Sequence, residues 1–210
     1  MAEEMGLFEV MYNCRAMRRL DTREVPEELL LKLVDAANQA PSGSNRQGAR
    51  WIVVRDPEQK QKLADLNRKG VDAYIGPMSE RPEALPHQSA EKRSRMLQSV
   101  LWQRDHMHEI PALIIACMEF DGPVDARSLA SAGGSIWPGI QNLLLAARAL
   151  KLGATPTTLA LMNHKAVAEV LNLPQNMGAL CLIPVGYPTG KFGPVTRKPV
   201  EEIMCWDSWS

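Results

Sequence analysis

The chain has 210 residues, 24 of them basic and 24 acidic, and 45% are hydrophobic. The length suits one domain, residues 1–210, with a buried core. Zero net charge and a pI near 6.9 exclude a general nucleic-acid binder, which needs a basic excess to displace counterions. The hydrophobic content excludes a disordered chain.

In chain order, Leu7 to Tyr12 reads as a short amphipathic helix, and Arg15 to Asp21 as a basic elbow holding Arg15, Arg18 and Arg19. Pro26, Glu27 and Glu28 open a helix, with proline and acids in its first turn. Leu29, Leu30, Leu33, Val34, Ala37 and Ala40 recur along it at helical spacing, and Pro41 to Asn45 stops it. Trp51 to Val54 is a short buried strand closed by a turn at Pro57, followed by a charged helix from Glu58 to Lys69. Gly70 to Ser89, with Pro77, Pro82 and Pro86, is expected to be a long surface loop, a candidate lid. A polar helix over Ala90–His108, a strand over Pro111–Met118 and a helix over Ile136–Leu150 come next. Then come a helix over Asn163–Leu171 capped by Asn163, a strand over Ala179–Val185, and a tail ending in Trp206 and Trp209. Few strands among many helices, with no repeat and no linker, predict an α+β domain.

No apolar run approaches the roughly 20 residues that cross a bilayer. The acidic start MAEEMGLFEVMYN lacks the regions of a signal peptide. A cytoplasmic protein with no membrane and no nucleic-acid partner is therefore expected. Cys14, Cys117, Cys181 and Cys205 are too dispersed for a disulfide framework or a zinc site. Cys117 and Cys181 lie in apolar runs and read as core residues. Ile203, Met204, Trp206 and Trp209 leave an apolar end that either folds back on its own core or packs on a second subunit.

No GxGxxG or GxSxG occurs, and the 186–191 segment, GYPTGK, falls one residue short of a phosphate loop. His106 and His108 do not share a helix face, so no metal is expected. Three segments carry chemistry. Arg15 and Arg18, three apart, can converge on one anion, since each guanidinium fork binds two oxygens; alone, the elbow also reads as a solvated basic surface. Ser42, Ser44, Asn45 and Gln47 offer small polar groups after a helix end. Leu152 to Leu159 joins two helices through Gly153 and can present backbone N–H groups.

Taken together, CRAMRRL, VPEELLLKLVDAANQAPSGSNRQ and WIVVRD resemble the opening of the FMN-dependent nitroreductase family. IQNLLLAARALKLGATPTTL, VAEVLNLP, LIPVGYP and a late Arg-Lys-Pro resemble its second half. The details GSNRQGARW, HMH and CWDSW are most similar to an actinobacterial branch. The resemblance implies an α+β sandwich with a central, mostly antiparallel sheet flanked by helices, in an intertwined homodimer with FMN at the interface. It places phosphate contacts on Arg15, Ala16, Arg18 and Arg197, beside Lys198, with Ala16 where the family usually has Ser and Cys14 where it often has Arg. It places a loop reaching FMN from the other subunit on Pro41, Ser42, Ser44, Asn45 and Gln47. It places a backbone N–H near flavin N5 in the segment Pro156, Thr157, Thr158 and Leu159, and the acceptor pocket within residues 70–108. The implied activity is reduction of nitroaromatic or quinone acceptors by NAD(P)H, with no compulsory acid or base. Reductive dehalogenation, flavin fragmentation and non-catalytic flavin binding are the alternatives.

Overall fold

The structure, a computed structural model, describes residues 5–79 and 89–209. Its centre is a four-stranded antiparallel sheet in the order β1-β2-β4-β3, formed by β1 (Ala49–Val54), β2 (Ala112–Glu119), β3 (Gly153–Ala154) and β4 (Met177–Gly186). The helices are α1 (Leu7–Asn13), α2 (Glu27–Asn38), α3 (Pro57–Ser79), α4 (Ala90–His106), α5 (Ala126–Ser131), α6 (Gly133–Ala149) and α7 (His164–Leu171).

Side chains alternate across a strand, and in β2 both sets are buried. Ala112, Ile114, Ala116 and Met118 pack with Leu33 of α2 and Ile136, Ile140 and Leu143 of α6. Leu113, Ile115 and Cys117 pack on the other face with Leu63 of α3 and Val167 of α7. Two cores on one sheet make the sandwich, and they explain why β2 reads as an unbroken apolar run. β4 follows the same alternation, with a bulge opposite Ala116 and Cys117 that re-phases its register.

Most predicted elements are present with shifted ends. β3 and the capped helix α5, whose Asp125 accepts from Ser128 N–H, carry too few residues for a periodic signal. The larger difference is α3. The loop expected from Gly70 to Ser89 is helix as far as Ser79; the rest of that expectation, residues 80–88, lies outside the described residues. Glycine lowers helix propensity by about 1 kcal/mol, but here helix packing overrides it. A Cβ on Gly70 would sit 2.1 Å from the Leu159 carbonyl oxygen, so only glycine lets α3 lie this close to that backbone. The predicted polar helix ends at His106 and continues as a short 3-10 turn, Met107–Glu109. His106 stacks on Trp102, with ring centroids 4.6 Å apart, and its Nδ1 lies 3.1 Å from Glu109.

The apolar end of the tail does not fold back on its own core, although Phe192 earlier in the tail packs on it. Trp206 and Trp209 are 80% and 86% exposed. The thiols follow the sequence expectation. Cys117 and Cys181 are buried, and desolvation pushes both up to about 12 from the ordinary 9.0. Near neutral pH, a thiol reagent is expected to modify the exposed Cys205 quickly and these two only after unfolding, as a timed absorbance assay would show. Their raised values stabilise the fold fully below about 9, and that contribution is lost as pH rises from 9 towards about 12.

Candidate functional site

The elbow after α1 is pinned at both ends. Met17 N–H donates to the Ala154 carbonyl at 3.2 Å, and Leu20 bridges Pro188 beyond β4. Arg18 therefore enters a cleft of about 270 Å³ between this elbow, the Thr155–Leu159 segment, α3 and α4. Partial burial holds the Arg18 guanidinium below its ordinary pKa. No carboxylate pairs with it among the described residues, whereas Arg46, Arg50, Arg55, Arg68 and Arg104 all have acidic partners.

Two helical stripes close the cleft. Asn67, Val71 and Tyr74 on α3 and Met96, Val100 and Gln103 on α4 are each spaced i, i+4, i+7, which is one helix face. The helices are clamped by Arg68–Asp105 and Arg104–Asp72, each at 2.9 Å. The opposite wall is the segment after β3, fixed to the sheet because Thr157 and Leu182 exchange backbone hydrogen bonds at 2.8 and 2.9 Å.

Three residues lining this cleft each carry a polar atom that is shielded from water and has no hydrogen-bond partner among the described residues: Asn67 Oδ1, Gln103 Nε2 and Thr155 Oγ1. The three residues are 2%, 5% and 1% exposed. Leaving one such group unpaired costs about 1–3 kcal/mol, so the cleft is built for a ligand with both hydrogen-bond donors and acceptors. FMN meets part of that requirement through the polar edge of its ring, and an Arg18 cation with no acidic partner among the described residues suits the charge a flavin gains on reduction. A larger, more open groove of about 580 Å³ near Tyr187 gathers no comparable set. There Arg23 and Arg148 stack on Tyr187 and Phe192 at 3.4 and 4.2 Å.

Of the sequence candidates, Arg18, Pro156, Thr157, Thr158 and Leu159 line the cleft. Thr157 N–H donates to Leu182 O, and Leu159 N–H lies 3.3 Å from Thr157 Oγ1. Thr158 is left as the non-proline residue of the segment whose amide has no partner among the described residues. Arg15 and Ala16 are exposed outside the cleft. The tail crosses the elbow there: Val195 N–H donates to Tyr12 O at 2.9 Å, and Arg197 lies close enough to favour the Cys14 thiolate. Burial raises the Cys14 pKa and outweighs the opposing charges of Arg148 and Arg197.

Pro41, Ser42, Ser44, Asn45 and Gln47 form a surface loop that does not line the cleft of its own chain. Ser44, Asn45 and Gln47 have left-handed backbones, with φ of 52°, 52° and 51°, a strain that persists when surrounding bonds over-determine it. Those bonds are Ser42 Oγ accepting from Gln47 N–H at 3.0 Å and Ser135 Oγ accepting from Gly43 N–H at 3.1 Å.

Asn67, Gln103 and Thr155 were not singled out in the sequence. Asn67 and Gln103 sit on helices whose exposed faces are also polar, so no period marks them, and only their burial does.

The profile of the nitroreductase family matches residues 13–187. The NADH dehydrogenase of Thermus thermophilus is 29% identical over 91% of each chain. The iodotyrosine deiodinase of Thermotoga neapolitana is 25% identical over 94% of this chain and 95% of its own. The crystal structure of an oxidized iodotyrosine deiodinase bound to FMN and 3-iodo-L-tyrosine shares the fold, with a TM-score of 0.74 at 22% identity, covering 97% of this chain and all of that one.

Proposed function

Because the chain belongs to the nitroreductase family, we propose that it is an FMN-dependent oxidoreductase that uses NAD(P)H to reduce nitroaromatic or quinone acceptors. The observation that carries this reading is the cleft in which polar groups and Arg18 have no partners among the described residues. FMN, when bound, supplies the hydride chemistry, taking a hydride from the nicotinamide and passing it on. The chain binds, orients and excludes water. Arg18, which the resemblance gave to the phosphate, instead places positive charge at the ring's polar edge. Thr158 N–H is the donor offered to flavin N5, and Asn67 and Thr155 complete the ring's hydrogen bonds. Arg15 and Arg197, with the backbone at Ala16, would hold the phosphate. One cleft serves both donor and acceptor, so ping-pong kinetics follow.

The Pro41–Gln47 loop and the exposed tail support a homodimer in which the loop, through Ser42, Ser44, Asn45 and Gln47, completes the cleft of the other copy. Exposed apolar surface of this kind is typical of interfaces. No helix among the described residues is long and apolar enough to cross a membrane.

Relatives named as deiodinases support a second reading, reductive dehalogenation. The cleft favours the first. Its described lining has one cation and no carboxylate, and so no counter-charge among the described residues for the ammonium of a halogenated amino acid.

The purified protein is expected to be yellow with one FMN per chain, and to oxidise NADH or NADPH when a quinone is supplied. A colourless protein that FMN does not restore would overturn the cofactor. A yellow protein inert to both nucleotides with quinones and nitroaromatics would overturn the activity.

A further inference from the structure

We infer that Gln103 is a specificity-determining residue that donates a hydrogen bond from Nε2 to an oxygen of the electron acceptor. The inference rests on the flavin reading above and assigns a recognition element to its acceptor side. Gln103 is the one polar residue that α4 gives to the described cleft lining, among the apolar Met96 and Val100 and across from Val71 and Tyr74. That wall suits a flat aromatic ring, and a buried amide N–H within it requires a hydrogen-bond acceptor. Nitro and quinone groups present such an oxygen; a hydrocarbon ring of the same shape does not.

The clamp fixes where the donor sits. Asp105 and Arg104, the next residues along α4, are tied to Arg68 and Asp72 of α3, so the place of Gln103 on α4 is fixed relative to α3. Its amide keeps its protons throughout. A quinone takes up two electrons and one proton as hydride, and its second proton comes from solvent. During this transfer the acceptor oxygen gains negative charge, so a fixed N–H donor stabilises the transition state more than the ground state.

The test uses the FMN-loaded protein with no reductant. The dissociation constants of nitrobenzene and toluene, nearly isosteric but differing in oxygen, are read from the flavin absorbance. Wild type is expected to prefer nitrobenzene, and Gln103→Leu to lose about tenfold of that preference, as one neutral hydrogen bond implies. FMN affinity should be unchanged, and kcat/KM for a quinone should fall by a similar factor. The FMN-free Gln103→Leu protein should be at least as thermostable as wild type, because an unpaired buried donor has been removed. Gln103→Asn, which withdraws the amide by one methylene, should fall between them and serves as the second variant if Leu does not fold. Unchanged preference overturns the assignment. So does weakened FMN binding with unchanged preference, which would give the donor to the cofactor instead. Failure of wild type to bind FMN would overturn the underlying reading and is seen before any variant is made.

Discussion

Replacing Arg18 with Gln is expected to weaken FMN binding by roughly 10–150-fold, the equivalent of about 1.5–3 kcal/mol for a hydrogen bond to a charged group. The side chain is partly buried in the cleft with no acidic partner among the described residues. Nothing else in the described lining carries charge, so no neighbour can compensate. The change also removes a partly buried cation that has no acidic partner among the described residues, so the FMN-free protein should be no less thermostable than wild type. Fluorescence titration with FMN checks the first part and a melting curve of the FMN-free variant checks the second. Arg15→Gln makes the comparison informative. Arg15 lies outside the ring cleft, so its loss should weaken FMN but leave riboflavin, which lacks the phosphate, unaffected. Arg18→Gln should weaken both. Equal losses for both ligands in both variants would show that the two arginines are not divided between ring and phosphate.

Gly70→Ala is the second large effect. In most helices this change gains about 1 kcal/mol. Here the new methyl meets the carbonyl of Leu159, 2.1 Å from its oxygen and 2.7 Å from its carbon, and both are backbone atoms. Leu159 cannot retreat freely, because Thr157, two residues before it, is bonded in both directions to Leu182 of the sheet. Overpacking of this kind costs on the order of 1–3 kcal/mol or more, which outweighs the propensity gain. A protein of this size loses about 2–4 °C of Tm per kcal/mol, so a fall of several degrees is expected. Any relaxation must move α3 or the Thr157–Leu159 wall, and both line the cleft, so FMN affinity should fall with it. A variant as stable as wild type, with unchanged FMN affinity, would show that the close approach is not needed.

Both predictions turn on contacts with different origins in the sequence. Arg18 and the Pro156–Leu159 segment were legible as residues, because the elbow and the post-helix loop match family segments in order and spacing. Their meeting in one cleft was not legible, since it depends on the Met17–Ala154 and Thr157–Leu182 pairings, which join positions about 140 and 25 residues apart. Gly70 was misread: glycine followed by a proline seven residues later is a local stop signal, and only the nearness of Leu159 turns the glycine into a requirement of helix packing.

By itself, the sequence determined the elements whose apolar pattern is long and regular, α2, α6, β2 and β4, and with them the α+β class and the burial of Cys117 and Cys181. Hydrophobic periodicity acts locally, so it can be read without knowing what lies opposite. The tertiary structure alone decided that α3 continues past Gly70, and that Asn67, Gln103 and Thr155 line one cleft. A buried polar side chain on a polar helix leaves no periodic trace. Its role is set by the groups brought to it from distant parts of the chain.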